Sequence, residues 1–580
     1  MSEFNTRLSL ATVLMVFVVG DAGLFAAEKA SGGHAAPKMR STDYREVPDQ
    51  PYVPVPLKER VTSPAGRGVA NGRVSVQVNV AAGGGNVVGD AANEPSIAVD
   101  PTDPSKIAIG WRQFDTITSN FRQAGRAFST DGGATWTFPG VLDPGLFRSD
   151  PVLDFGADGT FFYDSLAGNL DCSVFTSTDG GATWGPAVFA FGSDKQWLTV
   201  DRSGGPGDGH LYQNWSPFTV ETFNRSIDGG ASFQLPVVVP EEPYWGVSTV
   251  AHDGAVYIAG VASFATGIAV VRSSNAQLAG VTPSFDQTTV VDLGGLPVGF
   301  SDPGPNPAGL LGQVWVASDH SDGPTRGNLY LLASVDPSGP DPLDVHVSRS
   351  TDGGITWSAP VRVNDDPAGS NAWQWLGTMA VAPDGRIDAI WNDTRADPGG
   401  YDSELMYAYS IDAGQTWSTS EIISPAFDPH LGWPQQNKLG DYYDMVSDST
   451  GVHIAYAATF NLEQDVYYLH LERAFRSVGH PEVEDAALEA PIDRMEGDLR
   501  PQRAEQLAPT VRVLEAALEL LVHEAAGELD AQVVVMHGVA RAVGALEEDR
   551  VPDRQRRRRH GELVGLQIRQ RCPHLGTDAP

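Results

Sequence analysis

The sequence predicts an all-β protein assembled from equivalent repeated units, and three observations carry that expectation. Five short stretches share the pattern Ser-x-Asp-x-Gly-x-Thr/Ser-aromatic: Ser129 to Trp136, Ser177 to Trp184, Ser226 to Phe233, Ser350 to Trp357 and Ser410 to Trp417. Self-similarity of this kind marks a stack of structural units. Between the stretches, extended segments rich in β-branched and aromatic residues alternate with short turns, many of them Asp-Gly. The chain also holds 63 Gly and 41 Pro with only 19% charged residues, the composition of a turn-rich β protein.

Each repeated stretch reads as a hairpin turn. Its Ser and Asp side chains can bond nearby backbone N–H groups. Its glycines supply positive φ, and the closing Trp or Phe can bury a large ring between neighbouring units. These residues are similar to the Asp box, or bacterial neuraminidase repeat, of the sialidase superfamily, over roughly Gly72 to Leu471. The resemblance implies a β-propeller of four-stranded blades. It also implies that the Asp boxes sit on the outer rim, away from any site.

Seven units are expected. Their first two strands begin at Glu94 and Ile107, Asp150 and Thr160, Gln196 and His210, Val247 and Ala255, Gln313 and Asn328, Met379 and Ile387, and Tyr442 and Val452. The fourth unit carries a degenerate box at Arg272 to Asn275, which fills the wide gap between Asp228 and Asp352. The last unit ends at Asp465 to Leu471 without a box, so the alternating segment Val74 to Val80 is expected to supply its missing outer strand and close the ring. Sialidases typically have six blades; six is the alternative here if one unit is an insertion.

Arg7, the apolar run Leu8 to Gly20 and small residues at Ala22, Ala26 and Ala27 read as a signal peptide over 1–27. The protein is therefore expected to be secreted or periplasmic, and tied to a membrane only if that segment stays uncleaved. Residues 28–71 read as a leader or linker, 72–474 as the propeller, and 475–580 as an extension that is helical in part or disordered. No aromatic residue follows Phe475. Val511 to Leu546 has helical spacing, and Arg556 to Arg559 is a basic run. This tail reads either as an interaction segment or as a compositionally foreign extension. A formal charge of −34 argues against nucleic acid or an anionic membrane as partner. Cys172 and Cys572 imply no disulfide framework, and a monomer is expected.

In a propeller the first strand of each blade lines the central channel, so functional residues should come from blade starts and from the ends of second strands. These positions hold Glu94, Asp150, Gln196, Trp197, Tyr244, Trp245, Trp375 and Tyr442, with Arg112, Asn214, Asn392, Asp393 and Arg395. Planar rings can stack on sugars while amides and charges bond hydroxyls, so Trp197, Tyr244, Trp245, Trp375, Asn214 and Asn392 are candidate substrate-binding residues. The sialidase resemblance implies Tyr442 as nucleophile, Glu94 as its base, Asp150 as acid, and Arg112 and Arg395 as ligands of a substrate carboxylate. The family's Arg-Ile-Pro signature and third arginine are absent, and Glu94 lies in the first unit rather than mid-chain. Structural alternatives stand beside each role. Glu94 and Tyr442 can be strand-opening and channel-lining residues. Arg112 can pair with Asp115, and Arg395 with Asp393 or Asp397. Trp197 and Trp375 share a Gln-Trp-Leu segment that suits blade packing.

No cofactor is expected. The acid-rich Asn364 to Asp366 segment and the span from Asp302 to Asp319 offer oxygen ligands for calcium, without EF-hand spacing. Two functions follow. One is an exported glycan-cleaving enzyme resembling exo-α-sialidases, or a polysaccharide lyase on the same scaffold. The other is a non-catalytic propeller that binds a glycan or a protein. Geometry separates them: a sialidase needs Tyr442 and Glu94 in hydrogen-bond reach and three converging arginines.

Overall fold

The structure is a computed structural model that describes residues 51–55, 60–263, 266–299 and 301–472. The expected signal peptide and the extension over 475–580 lie outside the described residues. So does the leader up to residue 50.

Seven antiparallel sheets follow one another around a central axis. Their innermost strands are Ala91–Val99, Arg148–Phe155, Trp197–Val200, Ser248–Val250, Trp315–Ser318, Gln374–Val381 and Asp444–Ser447. Each packs against the next, and the seventh packs against the first. Seven blades thus form a closed ring. Blades two, four, five and six have four consecutive strands, and blade five gains the short Gly295–Leu296 pair at one end. In blades one and three the fourth position is held by isolated bridges, Phe128 to Thr137 and Phe223 to Val237.

The ring closes where the sequence indicated. Blade seven runs Asp444–Ser447, Gly451–Ala458, Asp465–Glu472, and its next strand is Arg73–Gln77 from the N-terminal side. Val76 faces Tyr468 and Gln77 faces Tyr467. Val78 N–H donates to Val466 O at 2.8 Å, and Asn79 Nδ2 to Asp465 Oδ1 at 2.6 Å. A fifth strand, Arg67–Ala70, caps the same sheet and lies within the segment expected as linker.

The Asp boxes are outer hairpin turns with one repeated hydrogen-bond set. In every box the Ser Oγ donates to the Asp Oδ1 at 2.7–2.9 Å and accepts a Gly N–H at 2.8–2.9 Å. The Thr or Ser hydroxyl donates to the other carboxylate oxygen at 2.5–2.6 Å. Blade four uses Asn275 for the Asp: it accepts from Ser273 Oγ at 3.1 Å and from Ser284 N–H at 2.9 Å. Gly133 has φ 86° and abuts the Tyr468 ring of the last blade, so that turn admits only glycine. Asp228→Ala should lower the melting temperature by about 2–4 °C, because it strips one turn of its local acceptors. Differential scanning calorimetry checks it, and ligand binding should not change.

Candidate functional site

Five of the seven innermost strands hold, within them or just before them, a non-glycine residue in the left-handed region: Glu94 (φ 50°), Asp150 (47°), Lys195 (57°), Trp245 (52°) and Leu376 (56°), and Gly440 (φ 121°) precedes the seventh strand. For non-glycine residues this conformation is uncommon and costs energy, so its recurrence marks a designed feature. In blades one, two and six the strand register shifts at this point. Three of the residues turned out of the pleat are charged, and they meet at the axis.

They form a closed cluster. Glu94 Oε2 lies 3.1 Å from Arg112 Nε, and Glu94 Oε1 lies 3.3 Å from Lys438 Nζ. Lys438 Nζ also pairs with Asp441 Oδ2 at 2.7 Å, and Lys195 Nζ approaches the same oxygen at 3.8 Å. Asp150 accepts from Ser149 Oγ at 2.6 Å and from Lys195 N–H at 3.3 Å. Glu94 and Arg112 are wholly buried, and the exposure of Asp150 and Lys195 does not exceed 6%. Charges so enclosed persist only if they compensate one another. Burial pushes the Glu94 carboxyl up, and Arg112 and Lys438 offset this only in part. Burial also opposes ionisation of Asp150, yet Lys195 and Arg112 outweigh it and hold that carboxyl below its usual range. Lys438 and Lys195 do the same to Asp441, more strongly.

Tyr442 sits under this cluster. Its hydroxyl donates to Pro151 O at 2.8 Å, and Lys195 Nζ lies 4.1 Å above its ring. Burial, then the charges of Glu94 and Asp150, push its phenol well above the usual value. Trp197 meets Tyr442 edge to face at 5.8 Å and Trp315 at 5.2 Å, so an aromatic layer floors the charges. Above them, the 301–312 loop is clasped to the chain before Tyr442. The buried Asn306 donates to Leu310 O and Gly440 O, both at 2.7 Å, and accepts from Leu439 N–H at 2.8 Å. Leu310 N–H donates to Asp441 Oδ1 at 2.9 Å, which ties the loop to the cluster itself.

A family model, the BNR/Asp-box repeat, matches residues 348–359, the box of blade five. The chain is a seven-bladed β-propeller that carries Asp-box repeats. Over 419 residues it is 25% identical to a xyloglucanase of Paenibacillus sp., covering 62% of this chain and 36% of that one. The chain thus spans about a third of that relative's length. An α-L-arabinofuranosidase of Fusarium graminearum superposes with a TM-score of 0.35 at 14% identity, covering 68% of this chain and 97% of its own. A Hadza microbial sialidase does so with a TM-score of 0.33 at 13% identity, covering 63% and 76%.

The candidate residues of this propeller fall in several places. Glu94, Asp150, Arg112 and Tyr442 share the axial cluster. Arg395 does not join them: it pairs with Asp393 at 2.8 Å and with Asp365 at 2.6 Å in a loop of blade six. Trp375 is fully buried and donates to Ser403 Oγ at 3.0 Å, while Trp197 belongs to the aromatic layer. Asn392 is buried and donates to Tyr443 OH at 3.1 Å, and Asn214 is buried opposite Trp197. Tyr244 and Trp245 remain partly exposed. In the acid-rich 364–366 segment, Asp366 accepts from Arg362 and Asn364, and Asp365 from Arg395. Among the described residues, no group of three or more His, Cys, Asp or Glu is arranged to hold a metal ion. The sequence reading missed Lys195, Lys438 and Asp441. A signal existed: the chain has six lysines in all, and two of them flank blade starts, in Lys195-Gln-Trp and Lys438-Leu-Gly-Asp441-Tyr442.

Proposed function

We propose that this propeller binds a neutral polysaccharide on its blade-start face. The observation that carries the reading is a border of partly exposed rings around the closed charges. Phe218, Tyr244 and Trp245 follow one another at centroid distances of 6.4 Å on one side. Tyr401, His430 and Trp433 do so at 5.0–5.1 Å on another. All six lie in loops before a first strand or between a second and third strand, which share one end of the ring. Such rings stack on pyranose faces. The likeness to a xyloglucanase supports an uncharged polymer as ligand, as does the strongly acidic chain, which repels anionic ones. The apolar N-terminal run supports export, so the ligand would be met outside the cytoplasm; cell fractionation tests this.

Sialidase chemistry fits the cluster poorly. Tyr442 is held protonated as a donor to a carbonyl, and of the two arginines expected there only Arg112 is present. A different hydrolytic reading has one specific observation in its favour. Glu94 is pushed up while Asp150 and Asp441 are pushed down, the division of labour of a general acid and a carboxylate base. That reading requires the 301–312 loop to open.

Electrophoresis through gels containing soluble xyloglucan tests binding. The full chain should be retarded, and Trp245→Ala and Trp433→Ala should each weaken the interaction by about three- to tenfold. Absence of retardation would overturn the proposal. Release of reducing ends by the wild type, abolished in Glu94→Gln, would establish the hydrolytic reading instead.

A further inference from the structure

The ring has a second opening, at the end opposite the blade starts. Below the layer of Trp197, Trp315 and Tyr442, the last residues of the innermost strands enclose a cavity of about 370 Å³, and all seven blades contribute to its wall. This is the size range of small-ligand sites. Its floor is the pair Trp197 and Trp315, whose rings meet edge to face at 83°. Its rim carries Asp154 and Arg202. Arg202 Nη1 donates to Asp154 Oδ1 and to Phe155 O, both at 2.6 Å, and a third of the Arg202 side chain stays open.

We propose that this cavity is a binding site for one or two neutral sugar rings, seated on Trp197 and Trp315 with hydroxyls bonded by the Asp154–Arg202 pair. An adjacent carboxylate and guanidinium present an acceptor beside a donor, the complement of two neighbouring hydroxyls. The wall carries little net charge. Asp154 is paired with Arg202, and burial pushes the Asp444 carboxyl up to about 7. A charged sugar would therefore find no unpaired counter-ion. The site is distinct from the blade-start face and takes a short ligand, because the aromatic layer blocks passage along the axis.

Titration of the full chain with glucose, xylose, galactose and cellobiose, followed by tryptophan fluorescence and calorimetry, tests the site. At least one of these sugars should bind saturably and perturb the emission, and glucuronate should not. Thr249→Trp, which fills the mouth from blade four, should abolish this binding. Arg202→Ala should weaken it by about tenfold or more through loss of a charge-assisted bond. Neither variant should alter retardation in xyloglucan gels, and Trp245→Ala should leave the short-sugar titration unchanged. Failure of the polymer assay with intact short-sugar binding would therefore strike the blade-start reading alone. Absence of saturable binding by all four sugars overturns the cavity proposal. So does binding that survives both Thr249→Trp and Arg202→Ala, or a preference for glucuronate.

Discussion

Raising the pH from 5 to 8 should lower the melting temperature of the folded chain by about 5–10 °C. Among the described residues, several carboxyl groups are buried without an ion-pair partner. Burial pushes Asp164 up to about 8 and Asp444 up to about 7. Burial also raises Asp90 and Asp465, which repel each other beside the ring closure. An unfolded aspartate ionises near pH 3.9. Between that value and the folded value the native state holds the extra proton, so the stabilising contribution is full below about pH 4 and is lost as pH rises through 7–8. Asp441 and Asp150 act with the opposite sign: their folded values are depressed, so their contribution is lost on acidification. Maximum stability is therefore expected near about pH 5. Asp164→Asn should raise the melting temperature at pH 8 and leave it nearly unchanged at pH 5, because the amide removes the titration but keeps an acceptor for Gln213. Calorimetric scans at constant ionic strength decide the matter. A flat profile, or one that rises to pH 8, contradicts the burial of these groups.

Arg112→Met should cost roughly 3–5 kcal/mol in urea unfolding, because it removes one of the two cations paired with the buried Glu94 and leaves Lys438 alone. Arg112 contacts Glu94 at 3.1 Å and also donates to Asn93 Oδ1 at 2.9 Å, and both charges are wholly buried. Adding Glu94→Gln to the Arg112→Met background should recover more than about 1 kcal/mol, the coupling expected of directly contacting residues. A single variant as stable as wild type would mean that solvent reaches the cluster.

The architecture was legible because its signals are local. An Asp box carries its own hydrogen-bond set within eight residues, so its pattern survives in the sequence, and even the Asn275 version keeps the Ser and Asn contacts. Ring closure was legible for a related reason: a blade short of one strand must find another, and Val74 to Val80 alternates beside the first unit. The candidate site was legible only in part. Glu94, Asp150, Arg112 and Tyr442 come together because blade starts converge on the axis in any such ring. Which side chains become interior depends on one backbone dihedral that sequence does not announce. Trp197 and Trp375 share the segment Gln-Trp-Leu, but the left-handed residue falls before the tryptophan in one, at Lys195, and after it in the other, at Leu376. One ring therefore joins the axial layer and the other packs within blade six. Lys438 was missed because its partner Glu94 lies at the far end of the chain. Arg395 found three nearby aspartates, a cheaper solution than crossing to the axis.

In the proposed function, a blade-start face recognises an uncharged glycan through stacked rings around a closed, self-compensated cluster. Calorimetric titration of the full chain with xyloglucan oligosaccharides and, in parallel, with sialyllactose tests this most directly. The neutral oligosaccharides should bind saturably, more weakly in Trp245→Ala and Trp433→Ala, and sialyllactose should not bind. Binding of sialyllactose that depends on Arg112 and Tyr442, with none of the neutral oligosaccharides, would contradict it.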